Sequence, residues 1–501
     1  MDPVSYIQSG TVTETSWRYV LGEMLWRDLI ESLKEHPLSF TGLWCDGTYV
    51  HALFMQPDMQ PLAASLLLEN NRYPALSSAR PVSAYYERMI FDLYGAEAMW
   101  CQDERPLVDH GLWSVRGPLS GTTDTSEKSP ERHLVFQPSD EIMQAGGVQA
   151  SSGPATGGLE TPVYIALATD NGGQIRRAEA VNGYAHRGLA QRWHMSRIEE
   201  ACRLSGRVAA GSSVSHQLAF CQAVEAACGQ SVEEEVELLR VVLLEFERIT
   251  HHLFALAAIA RHAGASLVAS QCMMFREKLL AVATPVLGSR LLMDHIVPGG
   301  VSLQQAAEAG ELCRHLSELG EEFYPSLAAL WRNYPGLSAR LSDILCVDRS
   351  MCDRFGVDGP VLRAAGGEGD FRRLLWAYDG VWRFTTGREG GCAEDRVAVM
   401  VAETGESLRM LRDLGPRLGL TAGGRTELSV TDSEGIGVSE GPWGMVLYWV
   451  TLRSGRVERV YVRDPAAAAL MVFEAALSGQ DISDLELGRA SLGVNAAAYD
   501  G

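Results

Sequence analysis

Residues 207–229 bring together side chains whose types and spacing suit chemistry. Arg207 is a permanent cation, Ser212 carries a hydroxyl, and His216 is of the type that changes protonation near neutral pH. Such groups can stabilise an anion or donate a proton. They cannot bind nickel or low-spin iron, which need soft thiolate ligands, and the chain contains no Cys-x-x-Cys motif. We therefore expect proton or anion chemistry here without a thiolate-bound metal.

The end of the chain has a second segment of the same kind. Residues 491–500 read S-L-G-V-N-A-A-A-Y-D, and Asn495 and Ala498 are three positions apart, as Ala209 and Ser212 are in the first segment. Neither pair contains a cysteine.

The first segment resembles the start of the metal site in the large subunits of membrane-bound [NiFe] hydrogenases of the formate hydrogenlyase type. The matching residues are Arg207, Val208, His216, Val224, Glu225 and Gly229. In that family one Cys-x-x-Cys follows Arg-Val and a second closes the chain. The resemblance implies that Ala209, Ser212, Asn495 and Ala498 occupy vacated ligand positions, and that this chain binds no nickel.

Other motifs extend the resemblance from about Trp26 to Asp500. They are residues 183–188 (G-Y-A-H-R-G), 276–278 (R-E-K), 298–301 (P-G-G-V), 359–366 (G-P-V-L-R-A-A-G) and 440–444 (E-G-P-W-G). Upstream, Glu87, Arg88, Asp92, Tyr94 and Gly95 resemble the signature of the small hydrophilic subunit of complex I, which is often fused ahead of the large one. The whole resembles a fused large subunit, related to the quinone-site subunit of NADH–quinone oxidoreductase.

The resemblance implies partners and site residues. A small subunit with a [4Fe–4S] cluster is expected to dock against residues 207–216 and 494–498, and antiporter-like membrane subunits are expected nearby. The candidates to face the cluster or a quinone are His186, Arg187, Arg207, His216 and Arg363. The chain itself is expected to bind no cofactor apart from a quinone in the emptied cavity.

The quinone hypothesis lacks two of the family's partners. The tyrosine position holds Ala210, and no histidine lies between His133 and His186. Quinone reduction needs proton donors beside the head group, so the remaining catalytic candidates are His216, Ser212 and Arg207.

Two functions follow from these observations. In the first, the chain is the large subunit of a membrane-associated, energy-converting oxidoreductase complex that has lost nickel and passes electrons from the iron–sulphur subunit to a quinone-type acceptor. In the alternative, it is a non-catalytic structural and coupling subunit whose cavity is filled by side chains. A cavity between the vacated segments would favour the first, and a closed core would favour the second.

The sequence pattern predicts an α+β fold in two modules. Residues 1–115 are expected to form a small α/β domain with a helix over 14–35 and a hairpin over 40–54. Residues 116–160, rich in Gly, Ser, Thr and Pro, are predicted to be a linker with a short strand near 133–136. Residues 161–501 are predicted to form a large, mainly helical domain with peripheral hairpins at 163–181 and 446–462, and a long helix capped by Ser231.

Composition narrows the function classes. A net charge of −20 argues against nucleic-acid binding, because that affinity depends on Lys and Arg. No signal peptide or membrane span is evident, so we expect a cytoplasmic protein held at the inner face of the membrane by its partners. The ten cysteines are expected to be reduced thiols. Because no glycine-rich phosphate or dinucleotide motif is present, NAD binding is expected only elsewhere in a complex.

Overall fold

The structure is a computed structural model that describes residues 1–111, 113–120, 139–155, 162–385, 389–419 and 425–499. The strand predicted near 133–136 lies outside the described residues. The described part mixes helices with small sheets, which confirms the α+β class.

The N-terminal part is built on one five-stranded sheet. Its elements are α1 (Pro3–Gln8), β1 (Thr11–Val12), β2 (Arg18–Leu21), α2 (Glu23–Glu35), β3 (Ser39–Cys45), β4 (Tyr49–Met55), β5 (Pro61–Leu67), β6 (Arg72–Pro74), α3 (Ser83–Tyr94) and β7 (Glu97–Met99). The strand order is β1-β2-β5-β4-β3, with β2 parallel to β5. The predicted hairpin is confirmed as β3 and β4.

The first helix is shorter than predicted. The apolar pattern over 14–35 indicated one helix, but Arg18–Leu21 is strand β2 and the helix begins at Glu23. The helix prediction is therefore wrong for residues 14–22. Strand β2 is stabilised by its pairing with β5, which local periodicity cannot reveal. Gly22 separates this strand from the helix.

The signature residues of α3 anchor the chain around them. Glu87 accepts hydrogen bonds from the backbone N–H groups of Leu76 and Ser77, at 2.7 and 2.9 Å. Asp92 Oδ2 accepts three backbone N–H groups from residues 107–109, at 2.8–3.1 Å. Gly95 ends the helix with φ at 67°, a conformation that glycine adopts without strain. Glu87 and Asp92 therefore hold the neighbouring chain segments against α3, and Gly95 ends this helix.

Part of the predicted linker is ordered. Helix α4 (Asp140–Gln144) and strand β8 (Val148–Ser152) lie inside it, and β8 pairs with β9 (Tyr164–Thr169), which forms the predicted hairpin with β10 (Ile175–Val181). The linker prediction is wrong for residues 140–152. A Gly- and Ser-rich composition masked a strand that is stabilised by its neighbour in the sheet.

A helical body follows. Its helices are α5 (Leu189–Trp193), α6 (Ile198–Ser205), α7 (Ser213–Ala227), α8 (Glu234–His262), α9 (Ser266–Leu287), α10 (Ala309–Asn333), α11 (Leu337–Leu341), α12 (Arg349–Phe355), α13 (Gly359–Ala364) and α14 (Ala393–Leu414), with the two-residue strands β11 (Ile296–Val297) and β12 (Gly300–Val301). The long predicted helix is confirmed as α8. Its N-cap is Glu233, without a side-chain cap, so the Ser231 capping box is wrong.

The chain closes with a three-stranded sheet and short helices. They are β13 (Ser433–Gly441), β14 (Gly444–Arg453), β15 (Arg456–Arg463), α15 (Ala466–Ala476), α16 (Leu485–Leu492) and α17 (Ala496–Tyr499). The predicted hairpin is β14–β15, and β13 was missed. Helix α7 lies so close to β13 that a Cβ at Gly437 would stand 2.0 Å from the Ala219 carbonyl oxygen. Only glycine permits this approach.

The N-terminal sheet packs on the C-terminal sheet through aromatic rings. Trp449 of β14 lies 4.9 Å from Trp17 and 5.2 Å from Trp44, measured between ring centroids, both edge-on. Arg18 pairs with Glu434 at 2.8 Å beside them. The two modules thus share an interface that includes aromatic side chains and ion pairs, among them Arg105 with Glu179 and Glu474 at 3.4 and 3.3 Å.

Two further findings concern cysteines and membranes. Cys346 and Cys392 form a disulfide, so the expectation of ten reduced thiols is wrong for this pair, because folding brings two distant cysteines together. The other eight cysteines are free. None of the helices in the described ranges is long and apolar enough to cross a bilayer.

Candidate functional site

The two segments that hold the expected ligand positions meet at one side chain, Arg187. We call residues 207–212 the upstream loop and residues 493–498, which include the start of α17, the C-terminal loop. The Arg187 guanidinium donates to the carbonyl oxygens of Arg207 at 2.5 Å and Val208 at 2.8 Å in the upstream loop, and of Ala497 at 2.5 Å in the C-terminal loop. The planar fork of arginine suits such a bridge. The loops therefore face each other, as the resemblance requires.

An aromatic pair fills space between the same loops. His251 packs on the upstream loop so closely that a Cβ at Gly211 would lie 2.1 Å from its Nδ1. Trp443 packs equally closely on Gly493 of the C-terminal loop, at 2.4 Å from a hypothetical Cβ. The His251 and Trp443 rings meet edge-on with centroids 5.9 Å apart. A continuous row of packed groups thus joins one loop to the other.

Three of the four expected ligand positions are buried. Ala209 and Ala498 are each 4% exposed and Ser212 is 7% exposed. Ser212 occupies the N-cap position of α7, but its side chain makes no cap hydrogen bond. The Asn495 Oδ1 atom is buried and has no hydrogen-bond partner. The donor set is thus two methyl groups, one hydroxyl and one amide.

His216 lies in the core beneath the upstream loop, not on the loop surface. Its side chain is fully buried, with Nδ1 2.9 Å from the Tyr448 hydroxyl and Nε2 2.9 Å from Asp464 Oδ2. Burial raises the pKa of Tyr448 well above its usual range. The three side chains form one buried hydrogen-bonded chain from β14 to the start of α15. Sequence reasoning found His216 but neither partner, because both follow it by more than 200 positions.

Arg207 is held at the surface by an ion pair. Its two terminal nitrogens contact the two carboxylate oxygens of Asp294 at 2.6 and 2.7 Å. Hydrogen bonding to Asp294 raises the pKa of Arg207, and the same contact lowers the pKa of Asp294. Gln217 also donates to Asp294, at 3.2 Å. Arg207 and Gln217 of α7 therefore share Asp294 as a partner.

The other two candidates lie in different surroundings. The His186 ring stands 5.0 Å from the Trp113 ring, between ring centroids. Arg363 is fully buried and pairs with Glu403 at 2.6 Å, Glu440 at 2.9 Å and Asp370 at 3.2 Å. Its carboxylate partners come from the helical body and β13, and none belongs to the two loops.

Arg363 belongs to a buried charge network that we define by seven side chains. The members, whose side chains are fully buried, are Arg248, Arg363, Arg372, Glu245, Asp370, Glu403 and Glu440. Three cations face four carboxylates, so one proton balances the charge. Burial, reinforced by the nearby Asp370, raises the pKa of Glu440 to about 7. Burial also raises the pKa of Glu403, but Arg363 and His252 outweigh this effect and lower it.

The network lies next to the first turn of α7. Arg248 donates to the backbone carbonyls of Glu440 and Gly441, at 2.6 and 2.9 Å. Its neighbour Glu247 accepts the backbone N–H groups of Val214 at 2.6 Å and Ser215 at 2.9 Å, in the first turn of α7. Burial raises the pKa of Glu247 to about 7. Sequence reasoning missed Glu247, since one glutamate in a buried helix gives no local signal.

A family model matches part of the large domain. Residues 263–425 match the family model described as the 49 kDa subunit of respiratory-chain NADH dehydrogenase. The chain therefore carries a domain of the complex I 49 kDa type.

The relatives are subunits of two kinds of complex. The alpha subunit of the membrane-bound hydrogenase of Pyrococcus furiosus is 28% identical over 365 residues, which cover 69% of this chain and 85% of that protein. The C/D subunit of the NADH-quinone oxidoreductase of Rhodopseudomonas palustris (strain BisA53) is 26% identical over 370 residues, which cover 68% of this chain and 62% of that protein. This chain thus matches less than two thirds of that C/D relative.

A solved structure supports the fold. A chain from the structure of the membrane-bound sulfane sulfur reductase, an archaeal respiratory membrane complex, superposes with a TM-score of 0.63 at 21% identity. The match covers 73% of this chain and all of the other. At this identity it establishes the architecture only.

Proposed function

We propose that this chain is the nickel-free large subunit of a complex I-like or membrane-hydrogenase-like complex, and that it serves a structural and coupling role. The observation that carries this proposal is the closure between the two loops by Arg187, His251 and Trp443. A catalytic metal centre needs an open position beside its ligands. Here, packed side chains occupy the space between the loops.

The residues at the four vacated positions do not fit nickel. Ala209 and Ala498 offer methyl groups, Ser212 a neutral hydroxyl, and Asn495 an amide oxygen. None is the soft thiolate that nickel and low-spin iron require. We therefore assign no metal-dependent step to this chain.

The proposed complex supplies the remaining parts. An iron–sulphur small subunit is proposed to dock on the two loops, where Arg187 and Arg207 lie at the surface or partly buried. Antiporter-like membrane subunits are proposed to hold the assembly at the cytoplasmic face of the inner membrane. The relatives named as membrane-bound hydrogenase and NADH-quinone oxidoreductase subunits support this placement.

Metal analysis and turnover of the purified native complex test the proposal together. We expect nickel far below one atom per chain. The Ser212→Ala and His216→Gln variants should retain the turnover of the complex, whereas Arg187→Met should reduce co-purification of the small subunit. Arg349→Met, which changes an exposed arginine far from the loops in sequence, is the matched control. Stoichiometric nickel, or lost turnover in a fully assembled His216→Gln complex, would contradict the structural role.

A second candidate function is electron transfer to a quinone-type acceptor. The observation that favours it is a cavity lined by both Ala498 and Asp464, the hydrogen-bond partner of His216. The chain of Tyr448, His216 and Asp464 offers proton donors close to this cavity. Under this candidate, turnover with a soluble quinone should fall at least tenfold in His216→Gln while assembly stays intact. Unchanged turnover would refute it.

A further inference from the structure

A disulfide joins the connection between α11 and α12 to the start of α14. We call residues 342–348 the 342–348 connection. Its Cys346 is bonded to Cys392, 46 positions further along the chain. Cys346 is exposed, whereas Cys392 is only 9% exposed. Exposed disulfides are more easily opened than buried ones, so a reductant can reach this bond from the side of Cys346.

The inner cysteine stands at a helix end that stabilises a thiolate. Cys392 is the N-cap residue of the 22-residue helix α14, and its sulphur accepts the backbone N–H of Asp395. The free N–H groups and the positive end of the helix dipole favour negative charge at this position. The Asp395 carboxylate itself accepts the backbone N–H of Cys392, at 3.1 Å. Because a stabilised thiolate leaves more readily, Cys392 is suited to be the leaving group.

The 342–348 connection is strained next to the disulfide. Leu345, which precedes Cys346, has φ at 40°, in the left-handed region that side chains rarely adopt. Arg396 of α14, which is fully buried, donates to the carbonyl oxygens of Ile344 at 3.3 Å and Leu345 at 2.9 Å. Opening the disulfide removes the covalent tie beside the strained residue. The connection is then free to relax away from α14.

The same arginine links this connection to the helix that leads into the C-terminal loop. Arg396 also donates to the hydroxyl oxygen of Ser491 in α16, at 2.7 Å. The Leu345 side chain lies so close to α16 that a Cβ at Gly488 would stand 2.1 Å from its Cδ1. Helix α16 ends at Leu492, and the C-terminal loop begins at the next residue. A change in the conformation of Leu345 therefore reaches α16 and this loop.

We propose that the bond between Cys346 and Cys392 is a site of thiol–disulfide exchange with a dithiol, and that its reduction loosens the C-terminal loop. A thiolate of the dithiol attacks the Cys346 sulphur. The bond to Cys392 breaks, and its electron pair leaves on the Cys392 sulphur, which then takes up a proton. The second thiol of the reductant displaces Cys346 from the mixed disulfide. The protein gains two thiols, and the dithiol, having given up two electrons and two protons, becomes a cyclic disulfide.

The consequence for the complex rests on the proposed function, in which an iron–sulphur subunit docks on the C-terminal loop. Reduction would then weaken that docking. The exchange and the loosening are properties of this chain alone. Measuring them on the 501-residue chain without partners therefore separates a failure of this proposal from a failure of the structural role.

Dithiothreitol, a small dithiol, tests the exchange on the folded chain. After this treatment, alkylation by iodoacetamide and mass spectrometry should find Cys346 and Cys392 modified, whereas the buried Cys272 and Cys313 should stay unmodified. Circular dichroism should report an unchanged fold. A bond that opens only after the chain unfolds would overturn the exchange site, and so would free thiols at both positions before treatment.

Hydrogen exchange of residues 485–498 tests the link to the C-terminal loop. Reduction should speed exchange of these amides about fivefold, as expected for the loss of one hydrogen bond. The double variant Cys346→Ser/Cys392→Ser should show the faster exchange without any reductant, and dithiothreitol should not change it further. Equal exchange in the oxidised and the reduced chain would overturn the link.

A matched pair of serine variants tests the route of the link. Ser491→Ala lacks the contact with Arg396, so reduction should change its exchange by less than about twofold. Ser338→Ala is the control, since this exposed serine contacts Glu394 at the start of the same helix, at 2.7 Å, but not α16. The control should keep the full response. A full response in Ser491→Ala would overturn the route through Arg396.

Discussion

Replacing Arg363 by methionine should severely destabilise the large domain. Arg363 is fully buried and contacts three carboxylates, Glu403, Glu440 and Asp370, at 2.6–3.2 Å. Methionine keeps much of the side-chain volume but leaves these charges without their central partner. Removing one member of a buried ion pair costs about 3–5 kcal/mol. We expect a loss at the upper end of that range, since two arginines would then face four carboxylates.

A double variant separates charge from packing. Adding Glu440→Gln to Arg363→Met removes one uncompensated carboxylate and should restore about 1–2 kcal/mol, because residues in one network are coupled. Urea unfolding followed by circular dichroism measures both free energies. Arg354→Met changes an exposed arginine and should alter stability by less than about 0.5 kcal/mol. If Arg363→Met costs under about 1 kcal/mol, or the double variant recovers nothing, the charge network does not stabilise this core.

Three further predictions concern pH, the loops and the cysteines. Burial raises the pKa of Glu247 from 4.5 to about 7. The folded state therefore holds an extra proton between these pH values, and the free energy of unfolding should fall as pH rises through this window. Glu247→Gln should flatten that slope in urea titrations. Arg187→Met removes three carbonyl contacts and should lower the free energy of local opening of both loops by about 1–2 kcal/mol. Unchanged hydrogen exchange in both loops would disprove the bridge. Thiol titration of the unfolded, unreduced chain should find eight free thiols, with Cys346 and Cys392 unreactive, and ten reactive thiols would contradict the disulfide.

Local patterns were sufficient where an element carries its own signal. The long α8 helix followed from apolar spacing that continues over 29 residues. The hairpins β3–β4, β9–β10 and β14–β15 followed from alternating runs joined by short turns. In contrast, β2, β8 and β13 were missed, because each depends on a neighbouring strand for its stability and carries a weak pattern of its own.

The candidate site was likewise predicted only in part from the sequence. The residues of the two loops were identified from their resemblance to the hydrogenase motifs, and their chemical types alone exclude thiolate ligands. The partners of those residues were not identified. Tyr448 and Asp464 follow His216 by 232 and 248 positions, and Glu403 follows His252 by 151.

The sequence by itself therefore determined the resemblance to complex I and membrane-bound hydrogenase subunits and the lack of thiolates at four positions, since both depend only on residue identity and spacing. The tertiary structure decided that Arg187 bridges the loops, that His251 and Trp443 fill the space between them, and that three arginines share four carboxylates in the core. Each of these facts depends on segments far apart in the chain. Their contacts come from packing, which no local pattern encodes.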